Sequence, residues 1–127
     1  MAKQGGTVYV IDDDESVRRS LLRLLRSANL IGEAFPSAEE FLNQPRQCKN
    51  ACLLVDLRMP GISGFGLQES LLSQGVDIPV IVISASDDAK TRERARELGA
   101  VVFFRKPVDD QALLDAILWA ITGNTKH

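Results

Sequence analysis

The stretch Ala51-Cys52-Leu53-Leu54-Val55-Asp56-Leu57-Arg58-Met59-Pro60-Gly61 decides the fold. It begins with five apolar residues, continues with one acid, and ends in a loop where proline and glycine disfavour a regular element. A short, continuous apolar run is typical of a strand that is covered on both faces of a parallel sheet. Asp56 is therefore predicted at the carboxyl end of a buried strand, and ligands bind at that edge of open α/β sheets.

Three other apolar runs end in the same way, at residues 7–11, 79–83 and 101–104. The polar residues at or just beyond their ends are Asp12, Asp13, Ser84 and Lys106. If the four runs are parallel strands of one sheet, a single edge collects three carboxylates, one hydroxyl and one ammonium group. This combination predicts a magnesium-dependent phosphoryl site.

Segments with helical periodicity lie between the apolar runs. The pattern predicts helices at about residues 15–29, 38–42, 65–74, 89–98 and 110–122, and a short second strand at about 33–35. The expected N-caps are Asp14, Ser37, Asp87 or Asp88, and Asp109 or Asp110. Strands that alternate with helices predict one α/β domain, with a five-stranded parallel sheet and helices on both of its faces.

The length, composition and net charge of the chain limit the classes of protein to which it can belong. The chain has 127 residues, of which 45% are hydrophobic and 25% charged, with a net charge of −2. These values predict a single domain over residues 1–127, with a core over about residues 7–122. A slightly acidic balance argues against nucleic-acid binding by this domain alone. No apolar run approaches the ~20 residues of a membrane span, and residues 1–6 lack the apolar stretch of a signal peptide, so we expect a cytoplasmic protein without membrane contact.

The cysteine and histidine residues are too few to predict a zinc site or a mechanism that uses a histidine of this chain. Cys48 and Cys52 are the only cysteines, too few for a zinc site without further soft ligands. Cys52 lies within an apolar run, so we expect it to serve in packing. His127 is the only histidine and the last residue, so a mechanism that needs a histidine would take it from another molecule.

The acidic run Asp12-Asp13-Asp14-Glu15 has two interpretations of similar weight when it is taken alone. It is either a solvated loop that caps the next helix or half of a cation site. Asp56 favours the cation site, because two acidic strand ends then face one crevice. A carboxylate can also attack phosphorus and form an aspartyl phosphate. Lys106 and the metal would then neutralise the phosphoryl oxygens, while Ser84 donates a hydrogen bond to one of them.

Four short motifs at the strand ends carry a family resemblance. They are Val-Ile-Asp-Asp-Asp at 10–14, Val-Asp-Leu-Arg-Met-Pro-Gly at 55–61, Ile-Ser-Ala at 83–85 and Lys-Pro at 106–107. Over residues 7–122 the chain resembles the receiver domain of bacterial two-component response regulators, and its Asp-Leu-Arg-Met-Pro-Gly run resembles the FixJ-like branch. The resemblance implies a flavodoxin-like receiver fold, a doubly wound (βα)5 sheet with strand order 2-1-3-4-5.

The resemblance also implies a role for each acid of the predicted site. Asp56 matches the phosphoacceptor, and Asp13 and Asp56 match the direct ligands of Mg²⁺ or Mn²⁺. Asp12 matches a ligand that acts through water, and the backbone carbonyl of Arg58 matches the third protein ligand. The pattern does not require Asp14 as a ligand, so Asp14 is expected either to cap a helix or to add a charge just outside the site.

Two catalytic residues and two loop positions complete the implied site. Lys106 and Ser84 match the lysine and the hydroxyl that act on the phosphoryl group. The bond between Lys106 and Pro107 is expected to be cis, because only X-Pro bonds adopt that form at low cost. Arg58 and Ser86, each two residues beyond a site residue, match positions that tune dephosphorylation, with a role as ordinary loop residues as an equal alternative.

A conformational switch is part of the resemblance. Phosphorylation would draw Ser84 toward the phosphate and turn Phe103 inward, although an aromatic on a buried strand is more often only a core residue. Phe104 is expected on the opposite face of the sheet.

One stripe of the last helix is expected to face the sheet, and it comprises Leu113, Ala116, Ile117, Ala120 and Ile121. Trp119 falls outside this stripe and is a candidate interface residue, with ordinary surface packing as an equal alternative.

These expectations describe a signalling domain rather than an enzyme with a separate substrate. The domain would accept a phosphoryl group from a sensor histidine kinase or a phosphotransfer protein and lose it by slow autodephosphorylation. The face formed by the fourth helix, the fifth strand and the fifth helix would control an output, through a DNA-binding domain outside this chain or a protein partner. A weak phosphorylation-induced homodimer is also expected.

Three other functions fit the sequence less well. A haloacid-dehalogenase-like, Mg²⁺-dependent phosphohydrolase also uses a nucleophilic aspartate. It needs a second aspartate two residues later, where this chain has Arg58, although Asp14 follows Asp12 at that spacing. A binding module with a vestigial site conflicts with the presence of all five site residues. A Rossmann-type nucleotide binder conflicts with the lack of Gly-x-Gly-x-x-Gly after the first strand.

Overall fold

Five strands and five helices alternate in the computed structural model, which describes residues 6–44, 49–59, 61–86 and 88–123. The strands are β1 (Thr7–Ile11), β2 (Ile31–Phe35), β3 (Ala51–Asp56), β4 (Val80–Ser84) and β5 (Ala100–Arg105). The helices are α1 (Glu15–Ser27), α2 (Ala38–Leu42), α3 (Gly64–Ser73), α4 (Ala89–Glu97) and α5 (Asp110–Gly123).

The strands form one parallel sheet in the order β2-β1-β3-β4-β5, so the expected strand order is confirmed. Ile11 at the end of β1 is level with Val55 of β3, and Asp56 is level with Ile83 of β4. The carboxyl ends of β1, β3 and β4 therefore lie side by side. The strand order reverses direction between β1 and β3, and a crevice opens at this point in doubly wound sheets.

Two hydrophobic layers cover the two faces of the sheet. One layer contains Tyr9 and Leu53 together with side chains of α2 and α3. The other contains Val10 and Leu54 together with side chains of α1 and α5, and Cys52 packs there as predicted. Successive residues of a strand face opposite sides, so strands covered on both faces are apolar at every position, as β1, β3 and β4 largely are.

The α4–β5 side of the sheet is packed more lightly than its centre. The residues of β5 are half-buried or exposed, and so are those of α4 other than Ala95. Phe103 packs against the layer of α2 and α3, and Phe104 packs against the layer of α1 and α5. The predicted opposite orientation of these two rings is therefore confirmed. A cavity of about 340 Å³ lies between α4 and β5, with Arg92, Arg96 and Phe103 in its lining.

The predicted apolar stripe of α5 faces the sheet. Its buried members are Leu113, Ile117, Ala120 and Ile121, and Ala116 is partly buried against the same layer. Trp119 lies outside the stripe and is 54% exposed, next to the exposed Leu118. The surface position of Trp119 is thus as expected, while its role at an interface stays a prediction.

Some element boundaries differ from the prediction. β2 begins at Ile31 rather than at residue 33, because it pairs with β1 along its whole length. Gly32 lies inside the strand, where α1 packs so closely that a Cβ would fall 2.7 Å from Leu22 Cδ2. α1 ends at Ser27 rather than at Asn29, because Asn29 adopts a positive φ of 63°.

Side-chain caps begin most helices where the sequence predicts them. Asp14, Ser37 and Asp88 accept backbone amides in the first turns of α1, α2 and α4, and Asp109 does so in α5. The cap of α3 is Ser63, which the sequence did not reveal because the glycine-rich loop suggested a later helix start. These caps satisfy amides that have no partner within their helices.

Four residues named in the sequence analysis, Cys48, Pro60, Asp87 and His127, lie outside the described residues. Among the described residues, no helix combines the length and the apolar character that crossing a membrane requires.

Candidate functional site

The site residues predicted from the sequence come together at the carboxyl edge of the sheet. Asp12 follows β1, Asp56 ends β3, Ser84 ends β4 and Lys106 follows β5. Asp12, Asp56 and Ser84 are buried, Lys106 is half-buried and Asp13 is exposed. Polar side chains that are shielded from water require partners at close range.

The same local turn orients the side chain at each of the three central strand ends. In every case the backbone amide two residues later donates to the side chain. The donor–acceptor distance is 2.9 Å at Asp12 Oδ1, 3.2 Å at Asp56 Oδ1 and 3.0 Å at Ser84 Oγ. Short polar side chains commonly form such turns with their own backbone. The turns hold the three side chains at one crevice and leave Oδ2 of each carboxylate for other partners.

Three carboxylates gather at this edge. Asp12, Asp13 and Asp56 each contribute an oxygen, and these oxygens lie within 4.8 Å of one another. Burial raises the pKa of Asp12, and the negative charge of Asp56 raises it further, which outweighs the lowering effect of the Asp14 amide. Crowded carboxylates repel unless a cation joins them. Hard oxygen ligands at this spacing fit Mg²⁺ or Mn²⁺, and the backbone carbonyl of Arg58 is the remaining group expected to contribute.

Lys106 places a positive charge beside the carboxylates. Its Nζ lies 3.3 Å from Asp56 Oδ2 and 3.7 Å from Asp12 Oδ2. Burial lowers the pKa of Lys106, but the attraction of Asp12 and Asp56 outweighs this effect, so the pKa is raised. The Lys106 amide also donates to the Ser84 carbonyl at 2.9 Å. The ammonium group therefore stays charged at neutral pH and close to Asp56. The peptide bond between Lys106 and Pro107 is cis.

The remaining predicted residues lie around this centre. Arg58 is exposed and Ser86 is half-buried, and their amides form the turns at Asp56 and Ser84. Phe103 is half-buried in β5, on the strand next to Ser84, and it reaches the cavity below α4. The structure thus brings Phe103 near the strand that carries Ser84.

Two residues that support the site were not predicted. Arg18 in α1 donates from Nη1 to the Asp12 carbonyl at 2.8 Å. Glu39 Oε2 in α2 accepts the amide of Ile62 at 3.3 Å, and a Cβ on Gly61 would fall 2.7 Å from the same oxygen. Helical periodicity places Arg18 only on a polar face, and no local pattern pairs Glu39 with a residue 23 positions away. Both contacts brace the loops at the carboxyl edge.

A family model described as the response regulator receiver domain matches residues 8–118. The chain belongs to this family. The transcriptional regulatory protein TdiR of Thauera aromatica is 42% identical to this receiver domain over 118 residues, which are 93% of the chain and 52% of TdiR. The transcriptional regulatory protein FixJ of Azorhizobium caulinodans is 41% identical over 110 residues, which are 87% of the chain and 52% of FixJ.

Structural comparison gives the same result. A solved structure of the response regulator StyR matches the receiver domain with a TM-score of 0.86 and 45% identity, over 94% of this chain and 61% of the StyR chain. The predicted receiver family, its FixJ-like branch and its flavodoxin-like fold are therefore confirmed. The receiver domain spans about half the length of the curated relatives it matches.

Proposed function

We propose that this receiver domain is a phosphorylation-dependent switch of a two-component phosphorelay, with Asp56 as the phosphoacceptor. One observation carries the proposal: the Asp56 carboxylate belongs to a cluster of three carboxylates suited to a cation, and Lys106 Nζ lies 3.3 Å from its Oδ2. Phosphoryl transfer is catalysed mainly by positioning and by neutralisation of charge. A cation held by the cluster and the Lys106 ammonium would together position the phosphoryl group at Asp56 and neutralise its charge.

The proposed reaction is a displacement at phosphorus. A carboxylate oxygen of Asp56 forms a P–O bond while the P–N bond to a donor histidine breaks, and the electron pair of that bond returns to the imidazole ring. No general base is required, since carboxylates are ionised at neutral pH. Lys106, already beside Asp56, neutralises a phosphoryl oxygen as the group arrives.

A divalent cation fits the acidic side of the site. Asp13, Asp56 and the Arg58 carbonyl would hold Mg²⁺ or Mn²⁺, with Asp12 acting through a water molecule. Burial and the charge of Asp56 raise the pKa of Asp12, and a cation beside these carboxylates would offset both effects. When bound, the cation would supply charge neutralisation and orientation of the incoming phosphoryl group.

Ser84 and Phe103 form the proposed switch. The Ser84 hydroxyl, now bound by the Ser86 amide, would turn to a phosphoryl oxygen. Phe103 would move inward from the α4–β5 cavity, so that the surface of α4, β5 and α5 changes shape. Arg58 and Ser86 flank the two reacting side chains, and we assign them the tuning of autodephosphorylation.

The proposed donors are a sensor histidine kinase or a phosphotransfer protein, acting in the cytoplasm. The proposed output is transcriptional, through a DNA-binding domain outside this chain or a protein partner. The names of TdiR and FixJ, both transcriptional regulatory proteins, support this output.

Phosphorylation is also proposed to favour a weak homodimer, with Trp119 as a candidate contact. Sedimentation that stays unchanged after phosphorylation would argue against that dimer.

Intact mass spectrometry after incubation with acetyl phosphate and MgCl₂ tests the proposal. The wild type is expected to gain one phosphoryl group, whereas Asp56→Asn gains none and chelation of Mg²⁺ abolishes the gain. Asp77→Asn makes the same chemical change at an exposed loop position and should be modified like the wild type. A wild type that remains unmodified while consuming acetyl phosphate would instead identify a hydrolase of the haloacid-dehalogenase type. A wild type that neither gains mass nor releases phosphate would overturn both functions.

A further inference from the structure

A buried glutamine joins the two helices that follow the site loops. Gln68 in α3 is 1% exposed, and its Nε2 donates to the Ala95 carbonyl in α4 at 2.9 Å. Its Oε1 is buried and makes no hydrogen bond to any of the described residues. A reversed amide would set Oε1 against the Ala95 carbonyl, where two acceptors repel. One interhelical hydrogen bond therefore fixes this side chain.

The hydrogen bond from Gln68 completes the carboxyl end of α4. In a continuing helix the Gly99 amide would donate to Ala95, but here it donates to the Arg96 carbonyl at 3.0 Å. The last carbonyls of a helix lack donors within the helix and take them from elsewhere. Gln68 supplies such a donor to Ala95 from a neighbouring helix, so the end of α4 is tied to α3.

A second contact lies one residue away. The guanidinium carbon of Arg94 in α4 is 4.5 Å from the ring centre of Phe65 in α3, and Nη2 is 3.2 Å from Glu69 Oε2. The ion pair is exposed, so it contributes little by itself. We call the combined contact the α3–α4 latch, formed by Phe65, Gln68 and Glu69 with Arg94 and Ala95.

The latch matters because α4 buries little of its own surface. The helix has nine residues, and helices of that length are marginal in isolation. Like charges follow one another at (i, i+4) in Arg92 and Arg96 and in Glu93 and Glu97, which weakens the helix. The pair Arg96–Glu93 offsets part of this repulsion. Ala95 is the buried residue of α4, and its carbonyl is the one that accepts the hydrogen bond from Gln68.

The two latched helices begin next to the site. α3 starts at Gly64, directly behind the phosphoacceptor strand, where an added Cβ would fall 2.9 Å from the Asp56 carbonyl oxygen. α4 starts at Ala89, after the loop that follows Ser84. The latch thus connects the helix that leaves the Asp56 loop with the helix that leaves the Ser84 loop.

We propose that the α3–α4 latch holds α4 in its unphosphorylated position and sets how readily phosphorylation moves the α4–β5 face, with Gln68 as the positioning residue. The inference rests on the function proposed above. A contact made in only one of two arrangements favours that arrangement, so its loss favours the other by linkage. Without the Gln68 hydrogen bond, a phosphoryl group at Asp56 is accommodated at lower cost.

Gln68→Met tests the latch, because methionine keeps the length of the side chain and removes the donor. Gln111→Met makes the same change at an exposed position of α5 and serves as the control. Beryllofluoride with MgCl₂, a mimic of the phosphoryl group, is titrated into each protein. Gln68→Met is expected to bind it ~5-fold more tightly than the wild type, the equivalent of one net hydrogen bond, while Gln111→Met binds as the wild type does.

Amide hydrogen exchange supplies the readout that a general loss of stability would not mimic. In the absence of beryllofluoride, the amides of residues 89–98 should exchange faster in Gln68→Met than in the wild type, and the exchange rates of β1 and β3 should be unchanged. Arg94→Ala, which removes the exposed part of the latch, should shift both measurements in the same direction by a smaller factor.

The outcomes separate the latch from the function it rests on. Wild-type protein that binds no beryllofluoride and accepts no phosphoryl group would overturn the proposed switch itself. If the wild type binds beryllofluoride, and both Gln68→Met and Arg94→Ala bind it no more tightly than the wild type does, the latch alone is overturned. Faster exchange in Gln68→Met over all strands equally would also overturn it, because the bond would then support the whole fold rather than the position of α4.

Discussion

All residues of β1, β3 and β4 are buried, whereas those of β5 are half-buried or exposed and α4 buries Ala95. The acids of the candidate site stand at the ends of the closely packed strands. The α4–β5 cavity, the half-buried Phe103 and the α3–α4 latch belong to the lightly packed side. Movement costs least where few apolar contacts are buried. The buried strands that carry the site acids can therefore stay in place while the neighbouring face changes.

In the comparison of the buried strands with the α4–β5 side, the largest expected effect is the protection of Cys52, in β3, from chemical modification. Burial raises the pKa of its thiol to about 12. A Cys48→Ser variant leaves Cys52 as the single thiol, and at pH 8 it should hold about a thousand-fold less thiolate when folded than an ordinary cysteine does. Alkylation by iodoacetamide, followed by mass spectrometry with and without urea, measures the difference. Rates within ten-fold of each other would mean that the folded centre does not shield Cys52 from solvent.

Truncation of apolar side chains tests the same contrast in stability. Leu53→Ala, at a fully buried position of β3, should lower the free energy of unfolding by about 2–5 kcal/mol, because it removes contacts and leaves a cavity. Val101→Ala, at a 38% exposed position of β5, should cost only about 0.5–1 kcal/mol. Urea denaturation of both variants gives the comparison. Equal losses would show that the edge is as firmly packed as the centre.

The site acids should reduce the stability of the region that carries them. The folded state raises the pKa of Asp12 above its ordinary value of 3.8, so it binds the proton more tightly than the unfolded chain does. Stability therefore falls as pH rises from about 3.8 through the raised pKa, and the loss persists at neutral pH.

Asp12→Asn removes this charge and keeps an acceptor for the Asp14 amide. At pH 7 it should raise the free energy of unfolding by up to about 1 kcal/mol after allowance for solvent screening, while weakening Mg²⁺ binding. Urea denaturation at pH 7 and pH 4 should show a gain that shrinks in acid. A variant that is less stable than the wild type at pH 7 would contradict this account of Asp12.

The smallest and most local effect is expected at the start of α4. Asp88 caps this helix by accepting the Thr91 amide at 2.8 Å, and hydrogen bonds from the Thr91 side chain and backbone lower its pKa. The cap therefore contributes above pH 3.8 and is lost as pH falls through the lowered pKa. Asp88→Ala should speed amide exchange over residues 89–98 and leave β3 unchanged. Asp77→Ala, an exposed acid outside any cap, is the control, and equal changes in both variants would exclude a capping role.

The sequence predicts the centre of this molecule better than its edge, for a physical reason. The position of Asp56 or Ser84 is a local property, since each ends an apolar run, and parallel pairing then brings the runs to one edge. The hydrogen bond of buried Gln68 has its partner 27 residues away, and the close approach of α1 to Gly32 depends on how α1 crosses β2. Periodicity carries no information about such contacts, because they arise only when the helices are placed.

Two backbone amides at the carboxyl edge already have acceptors within the site. The amides two residues beyond Asp56 and Ser84 donate to these side chains at 3.2 Å and 3.0 Å. The phosphoryl group proposed at Asp56 would bring three strong acceptor oxygens to the same place and would compete for these donors. Each amide that turned to the phosphoryl group would release a side chain and change the loop that carries it. At this edge, the stabilisation of an acyl phosphate and the movement of the loops would therefore be one exchange of hydrogen-bond partners, rather than a first event and its later consequence.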